Sequence, residues 1–415
     1  MPILSATDAQ VFDIEYMRIV AFWRERKVIQ GSNMNSLRNF VTSASAGLAS
    51  APEARHSISA KASGRHLVAL LMLALCVACT RPPDRIAFAE PTTASASIQQ
   101  IFVTTNRLPS VEETDLQQDR NALIDFARFD ISIPQTHELG QVEWPQGEAN
   151  PETDFVVTEQ VDLGTNQQFI DTLQRLPGDE VALFVHGYNT TPSEALYRYA
   201  QIGHDFEIAA PQVLFSWPSA GRAAGYVYDR DSVLFSRDPL VDLLTDISSN
   251  TNKEVTLMAH SMGAHLTMEV LRQLAITGRR DVLDNLRVVV LLAPDIDPDI
   301  FRVQANAIGE LPDPFVIMTN RNDRALGLSK FINIGRQKVG SLSRAEDVAG
   351  LDVTLFDFTA VADGSNLDHL VPFTSPLAIS LLRDLIRSDQ QGALDLTQFD
   401  VREDGVIHAR PQTGG

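Results

Sequence analysis

Six short runs constrain this chain most: VALFV (181–185), VLFSW (213–217), VTLMA (255–259), VVVLLA (288–293), FVIMT (315–319) and VTLFDF (353–358). A strand wetted on one face alternates apolar with polar residues. A strand apolar at nearly every position must be covered on both faces, which a parallel sheet flanked by helices achieves. Helical patterns fall between the runs, at 192–209, about 231–249, 262–277, 298–308, 325–334 and 375–387. Pro192, Pro298 and Pro376 stand near helix starts, where a missing N–H costs little, and Gly278 suits a helix end. Two earlier runs, IFVTT (101–105) and FARFDISI (126–133), complete the expectation. It is an α/β fold with a mostly parallel eight-stranded sheet and helices on both faces. Only 21 residues (294–314) separate two of the strands, so no large cap domain is expected there, and the polar 136–180 stretch reads as a surface excursion.

Charge narrows the partners. There are 34 Lys and Arg against 53 Asp and Glu, a formal charge of −19, which repels phosphate backbones and argues against nucleic acid. Two cysteines exclude a disulfide framework and a four-cysteine zinc site. Residues 67–78, LVALLMLALCVA, are too few to span a bilayer but have the length of a secretory apolar segment, with Lys61, Arg65 and His66 before them. Cys79 follows Ala78 directly, and the pair resembles a bacterial lipoprotein signal in which the cysteine is lipidated; Cys76 departs from the aliphatic residue usual there. Thr80 at the next position resembles an outer-membrane sorting signal. The expected organisation is a non-globular extension and signal over 1–78, a Pro/Ala/Ser/Thr-rich tether over 79–98, the α/β domain over 99–390 and a polar tail over 391–415. The expected location is the periplasm, with lipid anchoring at the outer membrane.

The chemistry lies at strand ends. VTLMA runs into His260-Ser261-Met262-Gly263 and a helix starts at once. A serine on such a turn stands exposed above the sheet beside a positive helix terminus. The backbones nearly touch there, so the positions two either side must be small; they are Ala259 and Gly263. A serine that merely caps the helix is the bland alternative. VALFV similarly leads into His186-Gly187-Tyr188-Asn189, with Gly187 allowing a close turn and His186 suited to bracing the loop. Asp295, Asp297 and Asp299 imitate the start of a calcium loop, but Ile300 and Asn306 stand where glycine and glutamate are required. His265, one turn after Ser261, reads as packing. No metal or organic cofactor is expected.

The segments HGYN, FSWPS, AHSMG, LLAPDID, RNDRAL and DHLVPF, with IFVTTNR and FARFDISIPQTHELG before them, resemble the α/β-hydrolase superfamily. They are most similar to a bacterial group of hydrolases known only as a domain of unknown function, over about residues 100–388. The Ala-x-Ser-x-Gly form of the turn is similar to that of some small bacterial lipases. The resemblance implies Ser261 as nucleophile, an acid next in the chain and a histidine last. His369, before the final helix, is the base in preference to His408 in the tail. Asp323 is the favoured acid, with Asp297 the alternative. Backbone N–H groups of Met262 and Tyr188 would form the oxyanion hole. The expected activity is hydrolysis of a small-molecule or lipid carboxylic ester. The alternative is a catalytically silent binding or scaffold module of the envelope on the same fold.

Overall fold

One sheet of eleven strands, in the order β10-β11-β9-β8-β7-β6-β4-β5-β1-β2-β3, organises the described residues of the computed structural model. These are residues 84–91, 97–109, 116–323, 326, 337–342, 345–361, 369–387, 399–401 and 406–410. The strands are β1 (Ser97–Pro109), β2 (Leu116–Ile133), β3 (Val156–Asp162), β4 (Glu180–Val185), β5 (Gln212–Ser216) and β6 (Glu254–His260). They continue with β7 (Leu286–Leu292), β8 (Phe315–Thr319), β9 (Thr354–Asp357), β10 (Phe399–Val401) and β11 (Ile407–Ala409). From β1 through β5, β4, β6, β7, β8 and β9 to β11 every pairing is parallel. Antiparallel pairs close both edges.

The continuous apolar runs have a direct cause. Along β4, Val181, Leu183 and Val185 enter one core while Ala182 and Phe184 enter the other. β7 divides the same way, with Val289 and Leu291 on one face and Val288, Val290 and Leu292 on the other. Helices α1 (Asn166–Arg175), α3 (Tyr226–Asn250), α4 (Met262–Ile276) and α5 (Pro298–Ile308) cover the first core through Phe169, Leu243, Leu266, Val270 and Phe301. Helices α2 (Pro192–Asp205) and α6 (Pro376–Arg387) cover the second through Leu196, Tyr199, Ile379 and Leu382. Each fully buried side chain of this size contributes about 1.5–3 kcal/mol, so both faces must be apolar for the sheet to hold. Helix α2 starts with a reciprocal cap, Thr191 accepting from the Glu194 N–H while the Glu194 side chain accepts from the Thr191 N–H.

All eight expected strands are present, and the sheet gains three that polar composition concealed. β3 is a half-exposed edge strand within the 136–180 stretch, which also contains α1 and so is more than a surface excursion. β10 and β11 lie within the stretch expected to be a polar tail; Phe399 and Ala409 are buried, β11 pairs with β9, and β10 pairs with β11. Part of the expected tether is seated as well: Ile86 is buried, the Ala87 N–H donates to the Tyr197 hydroxyl at 2.8 Å, and Phe88 bridges to Val157. The helix expected at about 231–249 begins earlier, at Tyr226. The signal segment, Cys79, and the helix expected at 325–334 apart from Leu326 lie outside the described residues. No helix among the described residues is long and apolar enough to cross a membrane.

Candidate active site

Ser261 joins β6 to α4 with φ 53° and ψ −119°, a backbone conformation that side chains rarely adopt. Three backbone bonds hold it there. Its N–H donates to Leu292 O at 2.9 Å, and its carbonyl accepts from Ala264 N at 3.2 Å and Asp295 N at 3.1 Å. The hydroxyl makes no capping bond although Ser261 occupies the cap position, so the bland capping role does not occupy it. Gly263 is obligatory: a Cβ there would come within 2.6 Å of Val185 O and closer still to His186 O. Gly187 is equally confined, since its Cβ would lie 2.7 Å from His260 Nδ1 and 2.9 Å from Ser261 Cβ. Ala259 and Met262 are fully buried either side of the serine.

The loop after β4 presses against this turn. The ring nitrogens of His186 face Gly187 O at 2.9 Å and Trp217 O at 3.1 Å, and the ring stacks on Trp217 at 5.0 Å. Burial, assisted by the Arg107 charge, pushes its pKa down to about 3, so His186 is a neutral brace. Tyr188 packs edge-on against Tyr226 at 5.3 Å and donates its hydroxyl to Ala223 O. Asn189, at φ 56°, donates its N–H to Asp229 Oδ2 at 3.1 Å. Asp229 also accepts from Ser219 Oγ and Ala220 N, each at 2.6 Å. Arg107 donates to Ser219 O at 3.1 Å and reaches within 3.5 Å of Thr190 O. Both charged groups are fully buried. Burial pushes Arg107 down to about 10, with the Asp229 charge opposing, and burial also raises the Asp229 pKa against its hydrogen bonds. Sequence reasoning passed over this brace. The available signals were an arginine ending an apolar strand and an aspartate opening a helix, residues seldom buried unless engaged.

The third part follows β8 and β9. Asp323 accepts the Leu326 N–H on Oδ1 at 2.9 Å, and its Oδ2 lies 2.6 Å from His369 Nδ1. Burial disfavours a charged His369, but the charge and hydrogen bond of Asp323, with Asp295 adding, prevail and raise its pKa above the ordinary value. The His369 ring lies 4.6 Å from that of His260, whose Nε2 is 3.4 Å from His369 O. His369 is thus held beside the residue preceding Ser261. His260 moves the other way, well below its ordinary value, because it is buried and beside His369. The alternative acid, Asp297, instead caps α5 by accepting from Asp299 N at 2.9 Å. Asp295 pairs with buried Lys338 at 2.8 Å and accepts from the Tyr226 hydroxyl at 3.1 Å. His265 is buried, and burial pushes it down to about 4. His408 pairs with Asp357 at 3.2 Å.

Residues 162–388 match the family described as alpha/beta hydrolase of unknown function (DUF900). The chain belongs to this family. No curated protein matches it. Among solved structures it is similar to a predicted CIB-like hydrolase from Thermoplasma acidophilum, at 13% identity and TM-score 0.35 over 71% of this chain and 100% of that one. It is also similar to Aspergillus fumigatus lipase B, at 13% identity and TM-score 0.35 over 56% of this chain and 60% of that one. A thermophilic carboxylesterase cloned from a metagenomic library gives 11% identity and TM-score 0.33 over 81% and 100%. Likenesses this faint say nothing about substrate.

In this α/β hydrolase the strand order reverses between β4 and β6, and the 186–190 loop, Ser261, Asp295 and Asp323 follow the carboxyl ends of β4, β6, β7 and β8, where open α/β sheets bind ligands. Arg107 lies before the matched stretch yet braces a loop within it. The 219–236 segment engages β2: Arg120 donates to Tyr228 O at 2.8 Å and sits 4.3 Å from the Tyr228 ring and 5.9 Å from that of Phe235.

Proposed function

We propose that this α/β hydrolase cleaves a carboxylic ester through a Ser261–His369–Asp323 triad. The observation that carries the reading is the 2.6 Å bond between His369 Nδ1 and Asp323 Oδ2, with the His369 ring against His260, the residue before a serine held at positive φ that makes no capping bond. Ser261 Oγ attacks the ester carbonyl while His369 Nε2 takes its proton. Asp323 keeps the other imidazole nitrogen protonated and stabilises the imidazolium that forms. The negative oxygen of the tetrahedral intermediate is received by the N–H groups of Met262 and Tyr188, aided by the α4 terminus. The intermediate collapses to an acyl-enzyme, and His369 returns the proton to the departing alcohol. Water, deprotonated by His369, then releases the acid and restores Ser261. The step needs no metal.

A fluorophosphonate probe and a series of p-nitrophenyl esters of increasing chain length test the reading. Labelling confined to Ser261 and abolished in Ser261→Ala is expected, with hydrolysis falling by at least about 10⁴-fold in the same variant. A folded wild-type protein that neither labels nor hydrolyses any ester would favour the silent scaffold instead. For location we propose export, with Cys79 as lipid attachment site: a diacylglycerol and an amide-linked acyl chain together suffice for stable anchoring. Intact mass from the native host tests this, and a product that begins upstream of residue 60 without lipid mass rejects it.

A further inference from the structure

A second cluster of ionisable side chains lies away from Ser261. Helix α2 starts beyond the carboxyl end of β4 and runs back toward the start of β5, so its last turn approaches the amino ends of the parallel strands. There His204 and Asp205 meet His137, from the loop after β2, and one ligand atom from each lies within 4.8 Å of the others. His137 Nε2 and Asp205 Oδ1 are 2.9 Å apart. Every member is also held from behind. His137 Nδ1 pairs with Glu143 Oε2 at 2.8 Å, and His204 Nδ1 with Ser97 Oγ at 3.0 Å. Asp205 Oδ2 accepts from Gly140 N at 2.7 Å and Gln201 Nε2 at 2.6 Å.

The outer bonds engage Nδ1 of each histidine and Oδ2 of the aspartate, so the second ring nitrogens and Oδ1 are the candidate ligand atoms. Metal-binding histidines are characteristically fixed in this way, one ring nitrogen on a carboxylate or hydroxyl and the other on the ion. Two imidazoles and a carboxylate suit zinc and its neighbours rather than calcium or magnesium, which prefer all-oxygen shells. We propose that His137, His204 and Asp205 bind a divalent transition-metal ion, zinc by ligand preference, oriented by Glu143, Ser97 and Gln201. Tetrahedral zinc with ligands at about 2.0–2.2 Å sets its donor atoms about 3.4 Å apart, so the His137–Asp205 pair at 2.9 Å opens slightly to admit the ion while the half-buried His204 ring adjusts to it. The ion clips the 134–143 loop to α2. Gly140 packs so tightly on Thr374 that a Cβ would lie 2.6 Å from Thr374 O, and Gln201 Nε2 donates to Phe373 O at 3.2 Å. The clip therefore also steadies the turn that follows His369.

The test uses the full chain without a histidine tag, stripped with a chelator and titrated with zinc by calorimetry and with cobalt(II) by visible absorption. One ion per chain, a raised Tm on zinc addition and cobalt bands of low coordination number are expected. His204→Gln should lose binding while staying folded by circular dichroism. Glu143→Gln, which keeps every ligand, should bind about 10–100-fold more weakly. No saturable uptake by the wild type, or equal uptake by wild type and His204→Gln, overturns the site. The cluster is then a histidine bridging two carboxylates.

Discussion

The two halves of the candidate active site are built by different physics. The Ser261 half is set by backbone sterics: a positive φ, two glycines with no room for a Cβ, and three backbone bonds within and beside the turn. The His369 half rests on one side-chain bond between residues 46 apart in sequence. The first should be sensitive to volume, the second to charge. The neighbouring rings of His260 and His369 make the point: His260 is buried and His369 part-buried, and the one touching a carboxylate has its pKa raised.

The largest expected effect breaks the charge-dependent half alone. Asp323→Asn preserves shape but offers Nδ1 the wrong partner, and should lower kcat by about 10⁴-fold with little change in KM or in unfolding by urea. Steady-state kinetics on the best ester of the panel would measure it. Breaking the steric half should look different. Gly263→Ala forces a methyl against two backbone carbonyls that cannot yield, so unfolding should become easier by about 1–3 kcal/mol. Probe labelling should fall too, because the Met262 N–H moves with the turn. A Gly263→Ala protein of native stability and labelling rate would show that sterics do not set this half.

The halves also differ in how legible they were in the sequence. The elbow was readable because its constraints act between near neighbours: an apolar strand, a serine, and small residues two positions away. The sheet was readable for a similar reason, since residues buried on both faces leave unbroken apolar runs. β3, β10 and β11 were not, because edge strands tolerate polar residues and short strands carry little pattern. Ser261, Asp323 and His369 could be named from chain order within a recognised fold. Only three dimensions join Asp323 to His369 while Asp297 caps a helix. The brace of Arg107 and Asp229 was hidden because composition marks charged residues as solvated, and their burial is created by folding.

That brace holds the loop after β4, and its loss should have an intermediate effect. Asp229→Asn replaces one of the two accepting oxygens with an NH2, setting a donor against the N–H of either Asn189 or Ala220 and loosening the loop that carries Tyr188. Losing a single oxyanion donor outright costs about 10²–10³ in kcat, so a displaced one should cost roughly 10-fold, falling on kcat more than KM. An unchanged kcat in a folded variant would remove Tyr188's loop from transition-state binding.

A smaller effect concerns pH. In the proposed mechanism His369 must be neutral to accept the serine proton, so kcat/KM should fall as pH drops through its pKa. Asp323 raises that pKa, placing the acid limb above the ordinary histidine value of 6.5. The residual activity of Asp323→Asn should show a limb at lower pH, since the favouring charge is gone while burial remains. A limb that does not move would mean a different group titrates.

The smallest effect separates the two acids. Asp297 stands at the N-terminus of α5, where its carboxylate accepts from the Asp299 N–H and Pro298 takes the first helical position. Asparagine caps as well as aspartate, so Asp297→Asn should leave both stability and turnover near wild type. Alanine removes the acceptor, and Asp297→Ala should cost about 1 kcal/mol in urea unfolding with kcat unchanged. The pair therefore isolates a structural role from a chemical one at a single position. If Asp297→Asn instead lowered kcat as deeply as Asp323→Asn, the histidine would draw on both carboxylates during turnover. The charge-dependent half would then no longer rest on one bond.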